Sequence, residues 1–261
     1  MARTKKLYGT IPLLFVGNCG SSWIESELAS HPAISAPVYE PLYNAEPAML
    51  EAFFKAAFED GDKQRLFDLL GEIANAKNQP INEYHRKKFW SAKYFCFKLR
   101  PWELPKVWEN YFPTKTPLKR LIWIRRLNLV KQALSEYKRF ELDISQFTRK
   151  DISEAVTVDP DKFAEYLMRS RKNQEIAEAK YQQCSSAKTI LDYETALSEF
   201  ENEMARICEF LEVPRESLHS GYFAKVTSND LHKAIANYNE LFEFVAFHPD
   251  LSDLTAQFSQ L

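Results

Sequence analysis

Residues 11–32 read IPLLFVGNCGSSWIESELASHP, and this stretch constrains the fold more than any other. Residues 13–16 form a short apolar run without charge, the pattern of a buried parallel strand. Six small or polar residues follow, Gly17 to Ser22. Trp23, Ile24, Leu28 and Ala29 then recur at helical spacing, and His31-Pro32 ends the helix. A strand, a small-residue loop and a helix in this order can cradle phosphate. The loop amides and the helix N-terminus converge on one anion, and Ser21 and Ser22 can add hydroxyl donors. Two of the six glycines, Gly17 and Gly20, fall in this loop. An ordinary strand-to-helix turn would show the same spacing. The loop has no lysine, which disfavours a Walker A nucleotide site, and no GxGxxG turn for a dinucleotide.

At 261 residues the chain suits one α/β domain or at most two, and 45% apolar residues suffice for a sizeable core. A net charge of −2 exerts no global pull toward nucleic acid or an anionic membrane, so any anion site must be local. Cys19, Cys96, Cys184 and Cys208 lack CxxC spacing, which fits buried or free thiols in a reducing compartment. The five histidines stand apart without HExxH spacing, so no metal is expected. A GxSxG elbow is missing, which disfavours Ser-His-Asp catalysis. No apolar run approaches the roughly 20 residues of a membrane span, and no signal peptide is read at the N-terminus. A cytoplasmic location is expected.

Further along, residues 33–42 read as a second short strand running into a turn at Pro41, with Glu40 as a loop carboxylate or a general base. Residues 46–76 carry two helical stripes parted at Asp60-Gly61. The polar, basic stretch 77–90 reads as a loop. Residues 93–99 read as a strand, with Lys98 and Arg100 at or just past its carboxyl end, where open α/β sheets bind ligands or where charges are simply solvated. Residues 121–124 are another buried strand, ended by Arg125 and Arg126. The helix after it carries Leu129, Val130, Ala133, Leu134 and Tyr137 on one face. Residues 163–180 read as a charged helix and 189–192 as a strand. Leu197, Phe200, Met204, Ile207, Cys208 and Leu211 line an amphipathic helix closed by Val213-Pro214. Ser228 is placed to cap a helix starting near Asp230.

Several of these stretches resemble the sulfotransferases, which transfer a sulfuryl group from 3′-phosphoadenosine 5′-phosphosulfate (PAPS). Their 5′-phosphosulfate loop runs Pro, Lys or Arg, Ser, Gly, Ser or Thr, Ser or Thr, often followed by Trp. Gly17, Asn18, Cys19, Gly20, Ser21, Ser22 and Trp23 stand in those places, with Asn18 replacing the basic residue. Their 3′-phosphate motif puts an Arg at a strand end and a Ser on the following helix. Arg126 and Ser135, within Gln132-Ala133-Leu134-Ser135, match it at the spacing of bacterial members. An Arg fork binding phosphate, with a neutral hydroxyl beside it, is sound chemistry. Asp192-Tyr193-Glu194 and the stretch 221–241 are looser echoes, the latter placing Lys225, Thr227 and Ser228 over the nucleotide.

The resemblance implies one three-layer α/β/α domain over residues 1–261, a P-loop-like fold with a central parallel sheet, and helical insertions at about 46–77 and 140–185. It implies PAPS as co-substrate, the nucleotide 3′-phosphoadenosine 5′-phosphate (PAP) as product, and a small-molecule or glycan acceptor offering a hydroxyl or amine. Glu40, Asn18 and Lys98 are the catalytic candidates. Cys19, Gly20, Ser21, Ser22, Trp23, Arg126, Ser135, Lys225, Thr227 and Ser228 would hold the nucleotide, with Trp23 stacked on adenine. With no cation at Asn18, Lys98, Arg100 or Arg125 would have to replace it. The alternatives are a degenerate member that binds PAP or PAPS without turnover, and a P-loop-like kinase, for which no loop lysine or magnesium carboxylate is visible.

Overall fold

A computed structural model describes residues 9–37, 40–43, 45–102, 120–144, 155–216 and 230–259. The chain forms two compact units. The first comprises Met1–Phe15, Gly20–Arg125 and Ile176–Ser220; the second comprises Val16–Cys19, Arg126–Glu175 and Gly221–Leu261.

The first unit is built on a five-stranded parallel sheet: β1 (Gly9–Phe15), β2 (Ile34–Ser35), β3 (Tyr94–Leu99), β4 (Leu121–Arg125) and β5 (Lys188–Asp192), in the order β2-β3-β1-β4-β5. Every residue of β1 and β3 is buried, as expected of strands covered on both faces. Pro12 sits inside the central strand although it has no N–H to donate. Pairing with β4 starts only at Leu13, so the missing donor falls where β1 has a single neighbour. From β1 the order runs one way to β3 and β2 and the other way to β4 and β5. The carboxyl ends of β1 and β4 therefore flank a topological switch point, where such sheets bind ligands. The α/β class with a central parallel sheet holds.

Helices flank the sheet: α1 (Ser21–Ser30), α2 (Pro47–Phe54), α3 (Lys63–Ala76) and α4 (Glu83–Ser91). Helix α2 runs on as a π-helical turn, Lys55–Asp60, which ends at Gly61 in the left-handed region. Phe53, from α2, packs its ring 5.3 Å from Phe97 of β3. Burying such a ring contributes roughly 1.5–3 kcal/mol. Two expectations need correction here. The second strand spans only Ile34–Ser35 rather than reaching toward residue 42, with residues 38 and 39 outside the described set. The stretch 77–90 is not all loop, because its last part is α4. Asn82 caps that helix by accepting from the His85 N–H at 2.9 Å, and Phe89 anchors it in the core. One capping side chain and one buried aromatic outweighed a polar composition.

In the second unit, α5 (Leu129–Glu141) is capped by Asn128, whose Oδ1 accepts from the Lys131 N–H at 2.8 Å. Helix α6 (Pro160–Gln183) starts with proline at its first position, where the missing N–H costs nothing, and contributes residues 160–175 here. Its remainder belongs to the first unit, as do α7 (Tyr193–Ser198) and α8 (Phe200–Leu211). Leu197 lies in α7, not on the stripe of α8, because the backbone breaks at Glu199. The second unit closes with α9 (Leu231–Ala234), α10 (Tyr238–Phe247) and a 3-10 turn, Ser252–Phe258. Leu134, Tyr137, Phe163, Leu241, Val245 and Phe258 pack together in its core. Asp230 caps α9, accepting from the His232 N–H at 3.0 Å, where the sequence suggests Ser228, which lies outside the described residues.

Candidate functional site

The first set of candidate residues lies in the first unit, around the start of α1. Gly20 precedes the helix with φ 81° and accepts from the Ile24 N–H at 3.2 Å. A Cβ at Gly20 would lie 2.3 Å from Cδ2 of Tyr193 and 2.4 Å from Cε2. Both the dihedral and the neighbouring ring thus demand glycine. Ser21 is buried at the first helical position, and Ser22 follows it.

Lys98, on the carboxyl half of β3, reaches Ser22. Its fully buried Nζ donates to Ser22 Oγ at 3.0 Å and to Glu40 Oε1 at 3.2 Å, and lies 3.6 Å from Glu25 Oε2. Arg100 Nη2 holds the other Glu40 oxygen at 2.9 Å, with its guanidinium 4.5 Å from the Tyr43 ring centre. Glu40 is therefore a doubly ion-paired carboxylate in the left-handed region (φ 43°), not a solvated loop acid. Glu25 was not recognised in the sequence. Its Oε1 is buried without a hydrogen-bond partner. Burial pushes its pKa up to about 7, the attraction of Lys98 opposing and the repulsion of Glu40 assisting. Below that pH the contact is an ammonium beside a neutral acid. The available signal was spacing: Glu25 stands three and four residues after Ser22 and Ser21, on the same helix face.

Trp23 stacks on Phe200 at 5.4 Å, meets the edge of Tyr193 at 5.9 Å and donates Nε1–H to Glu27 Oε1 at 3.0 Å. Its ring is held by protein partners that the adenine expectation did not include. Arg125 donates to both oxygens of Asp192 at 2.7 and 3.1 Å. That bidentate pair holds it at the β4–β5 strand ends, whereas Lys98 is the cation bonded to Ser22 at the start of α1.

The second set lies in the second unit. Asn18 has φ 58°, a region that asparagine enters more readily than lysine does. Cys19 is fully buried. Arg126, 8% exposed, donates Nη1–H to the Asn18 carbonyl at 2.8 Å and to Ser135 Oγ at 3.3 Å. Ser135 in turn donates to the Lys131 carbonyl at 2.9 Å. Two glutamines that carried no assigned role complete the arrangement. Gln132 Nε2 donates to the Gly17 carbonyl at 2.7 Å, and Gln174 Nε2 donates to the Arg126 carbonyl at 2.6 Å and to Gln132 Oε1 at 3.2 Å. Lys225, Thr227 and Ser228 lie outside the described residues.

Among the described residues, no cluster of His, Cys, Asp or Glu could hold a metal ion, and no helix is long and apolar enough to cross a membrane.

No protein-family model matches the chain, and no curated protein does. Among solved structures it is similar to a sulfotransferase from Alicyclobacillus acidocaldarius (16% identity, TM-score 0.48, covering 97% of this chain and 96% of that one). It is also similar to the sulfotransferase domain of the Synechococcus PCC 7002 olefin synthase (13% identity, TM-score 0.48, 99% and 96%). A third likeness is to the sulfotransferase domain from the curacin biosynthetic pathway (16% identity, TM-score 0.48, 88% and 83%).

Proposed function

We propose that this protein is a sulfotransferase that moves a sulfuryl group from PAPS to a hydroxyl or amine of a small-molecule or glycan acceptor. The observation that carries the reading is the buried ammonium of Lys98 beside Ser22 at the start of α1. It supplies a cation to a phosphate-type loop whose own basic position is Asn18. The donor set suits the nucleotide. Hydroxyls of Ser21 and Ser22, loop amides and the Lys98 ammonium match a 5′-phosphosulfate, and the Arg126–Ser135 pair matches a 3′-phosphate.

PAPS supplies an activated sulfuryl group with PAP as the leaving group. Lys98 and Ser22 would donate toward the oxygen on which charge builds as the sulfur–oxygen bond breaks. Glu40, oriented by Lys98 and Arg100, would accept the acceptor proton.

The reading is tested by thermal unfolding with PAP and with AMP. A ligand that binds only the native state raises the melting temperature by mass action. PAP should raise it clearly and AMP, without the 3′-phosphate, much less; equal shifts would count against the Arg126–Ser135 assignment. Sulfate transfer from labelled PAPS to a panel of alcohols, phenols, amines and sugars tests catalysis. PAP binding without transfer to any of them would favour a non-catalytic nucleotide-binding module.

Two substitutions sharpen the assignment. Arg126→Ala should weaken PAP binding by roughly ten- to a hundredfold, since a hydrogen bond to a charged group contributes roughly 1.5–3 kcal/mol. Ser135→Ala should cost only about fivefold, a neutral bond's share. A folded Arg126→Ala protein that binds PAP normally would remove the 3′-phosphate site. Asn18→Lys should leave the transfer rate level or lower it, because Lys98 already supplies a cation and lysine is strained at φ 58°. A rise of tenfold or more, about 1.4 kcal/mol off the barrier, would show that Lys98 does not fill that role.

A further inference from the structure

Within the second unit, two successive carbonyls of the loop segment Val16–Cys19 are tied down by side chains of the same unit. The Gly17 carbonyl accepts from Gln132 Nε2 at 2.7 Å, and the Asn18 carbonyl accepts from Arg126 Nη1 at 2.8 Å. Gln132 is itself held, its Oε1 accepting from Gln174 Nε2 at 3.2 Å. Gln174 also donates to the Arg126 carbonyl at 2.6 Å, so one side chain braces both tethers. Gln132 is 1% exposed and therefore does not exchange these partners for water. In a trans peptide the C=O and the next N–H point to opposite edges of one plane. All described peptide bonds are trans. Pulling the two carbonyls toward Gln132 and Arg126 therefore turns the N–H groups of Asn18 and Cys19 the other way.

We infer that Gln132, braced by Gln174, is a positioning residue that presents the Asn18 and Cys19 amides to the 5′-phosphosulfate end of the nucleotide. The inference rests on the PAPS reading above for the identity of the anion. The tether itself does not. Amides held in advance bind an anion without first paying to order the loop. A loop with no lysine of its own depends more heavily on that arrangement. The same side chain that binds the 3′-phosphate in the proposal, Arg126, also sets one of the two loop carbonyls, which leaves Gln132 as the residue specific to the loop.

The test compares PAP with 3′-AMP, which keeps the 3′-phosphate and lacks the 5′-phosphate. In Gln132→Leu, PAP affinity should fall by roughly fivefold, one neutral hydrogen bond's worth of arrangement, while 3′-AMP affinity changes less than about twofold. Arg126→Ala should weaken both ligands. Hydrogen exchange of the ligand-free protein supplies the second readout: the Asn18 and Cys19 amides should exchange faster in Gln132→Leu than in wild type. If Gln132→Leu does not fold, Gln132→Glu keeps an acceptor for Gln174 and puts a carboxyl oxygen where the donor to Gly17 was, which also releases that carbonyl, and the same differences between PAP and 3′-AMP are expected. PAP affinity unchanged, or PAP and 3′-AMP weakened equally, would overturn the positioning role. Should wild type bind no PAP, the nucleotide reading fails separately; faster exchange in the variant would still support the tether, and unchanged exchange would overturn it.

Discussion

Gly20→Ala should destabilise the protein by about 3 kcal/mol, from two separable causes. An alanine held at φ 81° costs roughly 1–2 kcal/mol. Its Cβ, 2.3 Å from Cδ2 of Tyr193, must also displace that ring or the start of α1, at roughly 1–3 kcal/mol. Urea unfolding of Gly20→Ala, Tyr193→Ala and the double variant separates them. The double variant should lack the overlap and keep the backbone strain, so the two substitutions should be non-additive. Gly17→Ala is the control, since nothing lies within 4 Å of its added Cβ and no left-handed dihedral is required there; it should cost less than about 0.5 kcal/mol. Equal losses at the two glycines would refute the account of Gly20.

Glu25 should make the protein less stable as pH rises from about 4.5 to 7. The unfolded carboxyl ionises near 4.5, whereas burial holds the folded one protonated up to about 7. Between those values the native state binds the extra proton, so stability falls as protons are withdrawn. It is fully present below the lower value and lost through the upper one. At 1.36 kcal/mol per pH unit the whole effect is about 3 kcal/mol, most of it between pH 5 and 8. Glu25→Gln should remove that slope and be relatively more stable at pH 8. The measurement is the unfolding free energy of both proteins at pH 5 and pH 8. Parallel pH dependences would mean that Glu25 ionises in the native state at its ordinary value, with Lys98 compensating its burial.

The element types were legible where the pattern was local. The uncharged run before Gly17, the burial-prone residues of β3 and the strand ending at Arg125 needed no partner to be recognised, because parallel strands covered on both faces are apolar throughout. Helix α4 was missed because its signal was one Asn cap and one Phe anchor within a basic stretch. Strand β2 was overread because only two residues find a partner on β3.

Chemistry divides along the same line. Residue type and spacing alone determined that a small-residue loop would sit between a strand and a helix, which follows from covalent connection and hydrophobic pattern; that Arg126 would reach Ser135 was implied by the family resemblance and not by the spacing. Tertiary structure decided which cation meets the start of α1. Lys98 is 76 residues from Ser22 along the chain, and only the β1–β3 register and α1 packing bring them to 3.0 Å. It also decided that Glu25 is an acid with a raised pKa, because burial is a property of the surroundings and not of the residue. And it decided that Gln132, an ordinary helix residue by sequence, would hold the Gly17 carbonyl 115 positions away.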